Sequence, residues 1–257
     1  AGLRRGYRLA ADARHGLLQD EFHLVYQPRF RSSTLQPVSA EVLIRGNHPQ
    51  LGPVSPAEFI PVFERTALME GVTEWVIDHA LAQLAQWKRA GLALSLSINL
   101  SARDVARQGM ADELVAKIHA QGLDCQDVEV EITEGEWLRV NSLPGEQLKR
   151  MASSGIRLAV DDFGSGYSNF GYLTELPIHT LKLDKSLIDD ISEDQRALLK
   201  VQAIVGLAHD FGYSTVAEGA VTSDQVAKLQ GLWCDEIQGF ALSRPISAIE
   251  LAELLAP

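Results

Sequence analysis

Ile156–Asp190 reads IRLAVDDFGSGYSNFGYLTELPIHTLKLDKSLIDD. An apolar run, Ile156–Val160, closes on two adjacent carboxylates, Asp161 and Asp162, and a glycine turn follows at Phe163-Gly164-Ser165-Gly166. A short helical segment, Pro177 and a second apolar run come next, and that run closes on Lys182 and Asp184. Two strands thus each deliver charged side chains at their C-terminal ends. Neighbouring carboxylates repel unless a cation sits between them, so the stretch poses the question of which cation it holds and what that cation acts on.

The chain around it repeats the same beat. Ala93–Leu100, Val128–Thr133, Ile156–Asp162, Thr180–Asp184, Tyr213–Glu218 and Asp235–Gln238 read as strands. Ala102–Gln121, Gly145–Ser154, Glu193–Phe211, Ser223–Leu229 and Ala248–Leu255 read as helices, the first three stopped by Gly122, Gly155 and Gly212. Upstream, Met69–Ala90 is a long amphipathic helix, Ser55-Pro56-Ala57-Glu58 a helix start, and Pro49–Pro56 a loop. Phe22–Phe30 and Gln36–Arg45 alternate as strands across a short polar link, which predicts an antiparallel hairpin. Two hairpin strands and six strand–helix units give an α/β fold, a (βα)8 TIM-like barrel with one antiparallel strand at the N-terminal hairpin; an open doubly wound sheet is the alternative. Leu9, Ala10, Ala13, Leu17 and Leu18 fall at helical spacing. Residues 1–20 are therefore set apart as an N-terminal helix or linker, and 21–257 as the barrel domain.

The 257 residues match the roughly 250 of such a barrel, and the 46% hydrophobic content is that of a folded domain. No apolar run reaches the roughly 18 residues of a membrane span. The first residue is Ala1 rather than Met, which leads to the expectation of a cytoplasmic domain within a larger, membrane-associated protein carrying sensor or cyclase domains. A net charge of −11 disfavours duplex nucleic acid but allows a small anionic substrate where metal ions supply positive charge. Cys125 and Cys234 form no CxxC motif, and the seven histidines form no HExxH pair, so neither a disulfide framework nor a His-based zinc site is expected.

Each strand carries a polar side chain near its C-terminal end: Glu41, Asn99, Glu131, Asp161 with Asp162, Lys182, Glu218 and Gln238. One acid in such a place is ordinarily a helix cap or a surface group. A polar residue at successive strand ends is not, because in a barrel these ends converge on the face that holds active sites. Acids and an amide, without thiol or imidazole, suit Mg2+ or Mn2+, and Ca2+ is a further option. Paired aspartates can bridge two such ions about 4 Å apart, the arrangement for hydrolysing a phosphate ester by in-line attack of metal-activated water. Lys182 can neutralise charge on that water or on the phosphate, or can serve only as a salt bridge to Asp184 or Asp161. Gly164-Ser165-Gly166 lacks the third glycine of a dinucleotide fingerprint, and Asp162-Phe163-Gly164 lacks the companion motifs of a kinase.

Taken in order, Tyr26-Gln27-Pro28, Glu41-Val42-Leu43-Ile44-Arg45, Asn99-Leu100-Ser101, Glu131-Ile132-Thr133-Glu134, Asp161–Ser168, Leu181-Lys182-Leu183-Asp184, Ala217-Glu218-Gly219 and Gln238-Gly239-Phe240 resemble the EAL domains, bacterial phosphodiesterases acting on the second messenger cyclic di-GMP. The resemblance runs from Phe22 to the last helix. It implies that Glu41, Asn99, Glu131 and Asp161 gather one Mg2+ or Mn2+, and that Asp161, Asp162 and Glu218 serve a second. It also implies catalytic roles for Lys182, Glu218 and Gln238, with linear pGpG as product. Gln27, Leu43 and Arg45 would contact the cyclic dinucleotide, with Ser243-Arg244-Pro245 beside a guanine. Glu134, Gly164 and Ser165 would belong to a loop coupling the site to a homodimer interface. Against the family pattern, Gly46 stands where Trp is frequent, predicting a looser wall near Arg45, and Val221 stands where an acid is usual. Val221 supports the alternative of a catalytically weak cyclic di-GMP receptor.

Overall fold

The structure, a computed structural model, describes residues 21–63, 66, 68–133, 143–165 and 177–256. The expected N-terminal helix, the helical segment after Gly166 and Glu134 lie outside the described residues.

Strands β1 (Phe22–Arg31) and β2 (Pro37–His48) form the antiparallel hairpin, with Gln27 opposite Glu41. Strand β3 (Gly52–Val54) folds back onto the end of β2. The predicted loop over Pro49–Pro56 thus contains a strand, because β2 runs on past Arg45 to His48 and exposes an edge that β3 satisfies. The remaining elements are α1 (Pro56–Phe63), α2 (Leu68–Arg89), β4 (Ser95–Asn99), α3 (Ala102–Val105), α4 (Met110–Ala120), β5 (Val128–Thr133), α5 (Leu143–Ser153), β6 (Arg157–Phe163), β7 (Thr180–Leu183), α6 (Lys185–Ile188), α7 (Gln195–Asp210), β8 (Ser214–Ala217), α8 (Ser223–Gly231), β9 (Glu236–Ile237) and α9 (Ala248–Leu255).

The sheet order is β1-β9-β8-β7-β6-β5-β4-β2-β3, and the extra pairing of β1 with β2 closes the first eight of these into a barrel. β1 is antiparallel to both β2 and β9, and the other barrel pairings are parallel. The open doubly wound alternative is excluded by this closure. One further difference is local: the helix predicted over Ala102–Gln121 is two helices. Asp104 bonds back to Ser101 in a capping box and accepts from Thr73, which fixes α3 as a short turn of its own before the chain turns again into α4.

Residues alternate between the two faces of each strand. Val128, Val130, Ile132, Leu158, Val160, Leu181 and Leu183 face outward and are buried against helix side chains such as Leu81, Leu84, Leu114 and Val201. The inward set is mostly polar and equally buried: Arg29, Ser39, Ser97, Glu129, Glu131, Thr180 and Lys182, with Ala159 and Val216 as apolar members by register. Barrel bores are ordinarily filled by bulky branched residues, so this one departs in chemistry, not only at its rim. A second apolar cluster, Val54, Phe59, Phe63 and Val72 with Phe22, seats α1 on the outside of β2. At Gly46 a Cβ would already touch the Phe22 and Phe59 rings at 3.5 Å. The wall expected to be loosened there is instead filled by two phenylalanines. Among the described residues no helix is long and apolar enough to cross a membrane.

Candidate active site and metal centre

Asp161 and Asp162 are consecutive in β6, and regular pleating would send them to opposite faces. Two features prevent this. The register of β6 against β7 shifts between Val160 and Phe163, and Asp162 takes a left-handed backbone with φ 55°. Such bulges re-aim a side chain, and Asp tolerates that backbone region better than most residues. As a result Asp161, Asp162 and Glu218 each bring a carboxylate oxygen to within 4.8 Å of the others, a group able to hold a metal ion. Glu218 follows β8, its backbone N–H donating to Leu183 at 3.1 Å.

Lys182 lies between these acids and those of the opposite wall. Its Nζ is 2.5 Å from Glu131 Oε2, 2.7 Å from Glu218 Oε1, 2.9 Å from Asp161 Oδ1 and 3.7 Å from Glu41 Oε2. Asp184, a suggested alternative partner, instead caps α6 by accepting from the Ser186 N–H. Glu41 is fixed from both sides, accepting from Asn99 Nδ2 at 2.8 Å and from Gln238 Nε2 at 2.7 Å. Seven of the eight predicted strand-end residues thus meet around one point, and Asp162 joins them at the exposed edge.

The charges do not balance, since one buried ammonium faces four carboxylates. Burial drives Glu131 well above the usual carboxylate range, and Glu41 and Asp161 add to the rise while Lys182 offsets part of it. Burial likewise pushes Glu218 up to about 8. Asp162 is raised by burial and by Asp161. Burial opposes the charge of Glu41, but Lys182 and the two amide hydrogen bonds outweigh it and hold this acid below its ordinary value. Lys182 also resists burial: Glu131, Glu218, Glu41 and Asp161 hold it well above the ordinary lysine value. Among the described residues, four buried site oxygens remain without an aligned hydrogen bond: Glu131 Oε1, Asp161 Oδ1, Glu218 Oε1 and Gln238 Oε1. Surplus negative charge, under-satisfied hard oxygens and a neutral amide fit a divalent cation of the Mg2+ type.

Beside this centre, Leu43, Arg45, Asn99 and Glu131 border a cavity of about 520 Å3 whose outer wall is Pro56, Ile60, Met69, Val72 and Val76. Arg45 is half-buried and donates to the Ile44 carbonyl at 2.9 Å. Gln27 is half-buried next to Glu41 on the facing strand. The 243–246 segment reaches the same mouth through a bridge from Ile246 to Tyr26. There the exposed Arg244 guanidinium lies 4.4 Å over the Phe240 ring, with Ser243 and Pro245 half-buried. Gly164 has φ 93°, and a Cβ on it would meet Leu187 of α6 at 2.5 Å. Ser165 donates its N–H to Asp162 O at 3.2 Å. Val221 is half exposed on a loop held by Gln225, which accepts its N–H at 2.8 Å.

The sequence reading passed over a second buried layer beneath the first. Arg29 donates to Glu129 at 2.7 Å and to Ser39 at 2.8 Å, and Thr180 donates to the other Glu129 oxygen at 2.6 Å. Strand periodicity carried the signal. Arg29 lies two residues beyond Gln27 and Glu129 two before Glu131, so each shares the inward face of a site residue.

The EAL domain family matches residues 10–245 of the chain. The cyclic di-GMP phosphodiesterase PA2567 of Pseudomonas aeruginosa is 43% identical over 237 residues, which is 92% of this chain but 40% of that protein. Among solved structures, the PaMucR phosphodiesterase in complex with c-di-GMP superimposes with a TM-score of 0.89 at 33% identity, covering 95% of this chain and 99% of that one. The EAL enzyme Bd1971, in its cAMP- and cyclic-di-GMP-bound form, superimposes with a TM-score of 0.92 at 27% identity, covering 100% of this chain and 70% of the other.

Proposed function

The chain belongs to the EAL domain family, and from that premise we propose that it is a metal-dependent phosphodiesterase that opens cyclic di-GMP to linear pGpG. The observation that carries this reading is the ring of carboxylates around Lys182, whose negative charge exceeds what one ammonium can balance. Glu41, Asn99, Glu131 and Asp161 would hold one Mg2+ or Mn2+, and Asp161, Asp162 and Glu218 a second. Bound there, the ions would activate water and neutralise the phosphodiester.

The chain's own groups do the rest. Lys182, within 2.9 Å of Glu131, Asp161 and Glu218, fixes three acids at once and stands ready to donate to the attacking water. Gln238 spends its N–H on Glu41 and keeps its buried Oε1 to accept from that water. Glu218, which follows the same strand wall, can exchange a proton with it. Arg45, Gln27 and Leu43 bind the cyclic dinucleotide along the cavity, and Ser243, Arg244 and Pro245 lie against a guanine at the mouth. Residues 21–257 form the catalytic domain, with 1–20 a helix or linker. The Gly164-Ser165 turn, with Glu134, couples it to a second copy in a homodimer. Its setting is the cytoplasm, beside sensor or cyclase domains of a larger protein.

The test is incubation with cyclic di-GMP and Mn2+ or Mg2+, following pGpG by chromatography. Turnover is expected, and Glu41→Ala is expected to abolish it by removing a metal ligand. Tight binding without turnover would overturn hydrolysis in favour of a receptor.

A further inference from the structure

Arg29 is 2% exposed, on the inward face of β1 below the carboxylate ring, and it cannot touch a substrate at the mouth. Its guanidinium is held on two sides: Nη2 donates to Glu129 at 2.7 Å, and Nε donates to Ser39 at 2.8 Å and lies 3.6 Å from Glu236. The third nitrogen, Nη1, has no hydrogen-bond partner among the described residues and faces Glu131 Oε1 at 3.6 Å. That oxygen is likewise buried and without one. Glu131 therefore lies between two cations, Lys182 against one oxygen and Arg29 near the other. A planar guanidinium anchored at two of its nitrogens cannot swing away from the third contact.

We propose that Arg29 is a positioning residue of the hydrolytic centre: anchored on Glu129 and Ser39, it holds the buried Glu131 carboxylate in place and aimed for metal binding. The inference rests on the metal-dependent reading above. It assigns a role beyond the ring, to a layer whose other members serve to aim Arg29.

Mn2+ binding, measured by calorimetry on the whole chain without substrate, tests it apart from turnover. Arg29→Met should weaken Mn2+ binding roughly 10–100-fold, as loss of a group that orients a ligand does. It should lower kcat while leaving KM for cyclic di-GMP nearly unchanged. Arg29→Lys, which restores charge without the fork, should recover part of the affinity. Because Arg29→Met strands Glu129, the double variant Arg29→Met/Glu129→Gln removes both charges and keeps the fold testable. It should still bind Mn2+ weakly. Wild-type affinity in the double variant would show that Arg29 only neutralises Glu129, and would overturn the proposal. A wild-type chain that binds no Mn2+ would overturn the metal reading, and the proposal with it.

Discussion

Lys182 is 1% exposed, and its burial is tolerable only because carboxylates surround it. The dependence runs both ways, because the same acids would stand uncompensated without it. Lys182→Met is therefore expected to abolish turnover and, in EDTA, to destabilise the fold by about 3–5 kcal/mol, the usual result of removing one partner from a buried ion pair. Saturating Mn2+ should restore part of that stability by returning positive charge to the acids. Urea denaturation of the variant with and without Mn2+ checks this, and wild-type stability in EDTA would rule out the ammonium as the counter-charge of the ring. Lys182 was legible in the sequence because it ends a strand beside other strand ends. Arg29 was passed over because no neighbouring strand end drew attention to it, although its spacing of two from Gln27 already put it on the same inward face.

Among the elements, β6 carries the least legible feature. The adjacency of Asp161 and Asp162 announced a cation site, yet a regular strand would have parted them. Their convergence depends on a bulge in the pairing with β7, which the periodicity of β6 alone does not disclose. The hairpin, by contrast, could be read locally, because alternation and a short polar link suffice to specify it. β3 could not, because its three residues carry no periodicity and gain a strand conformation only from the free edge of β2. The rim also depends on a close approach that sequence alone does not disclose. A Cβ on Gly239 would sit 2.1 Å from the Ala220 carbonyl oxygen, backbone of the loop that carries Glu218. No side-chain rotation relieves such a clash. Gly239→Ala should therefore cost about 1–3 kcal/mol, as overpacking does, and should displace Gln238 and Glu218 enough to lower kcat more than tenfold. Gly164→Ala meets the Leu187 side chain and sits on a left-handed backbone of φ 93°, so pairing it with Leu187→Ala should recover only the part of its loss that the contact causes. Denaturation and turnover of the three variants provide the comparison, and a Gly239→Ala protein with wild-type activity would refute the tight approach.

At the scale of the whole molecule, an apolar shell between sheet and helices stabilises a barrel whose bore is charged. The shell was legible from hydropathy, and the count of eight strands followed from it. The bore's chemistry was legible only at the strand ends. Its consequence is a stability that depends on pH and metal together. With no divalent ion, the folded chain holds a proton on Glu218 up to about pH 8, whereas the unfolded chain releases it near 4.5. Folding then takes up a proton across that window, so stability falls as pH rises through it. Glu131 and Asp162, also raised by burial, act in the same direction. Glu41 and Glu129 are lowered, so their contribution is already complete above 4.5, and Lys182 stays charged throughout. His179, lowered by burial, opposes the trend only up to its ordinary 6.5. The interval from pH 6.5 to 8 therefore isolates the acids. In EDTA, Tm should fall across it; in saturating Mn2+ the fall should vanish or reverse, because a bound ion stabilises the native state more as the acids ionise. Glu218→Gln should flatten the EDTA profile. A Tm in EDTA that stays level or climbs between pH 6.5 and 8 would show that the acids of the bore are ionised and balanced without any metal.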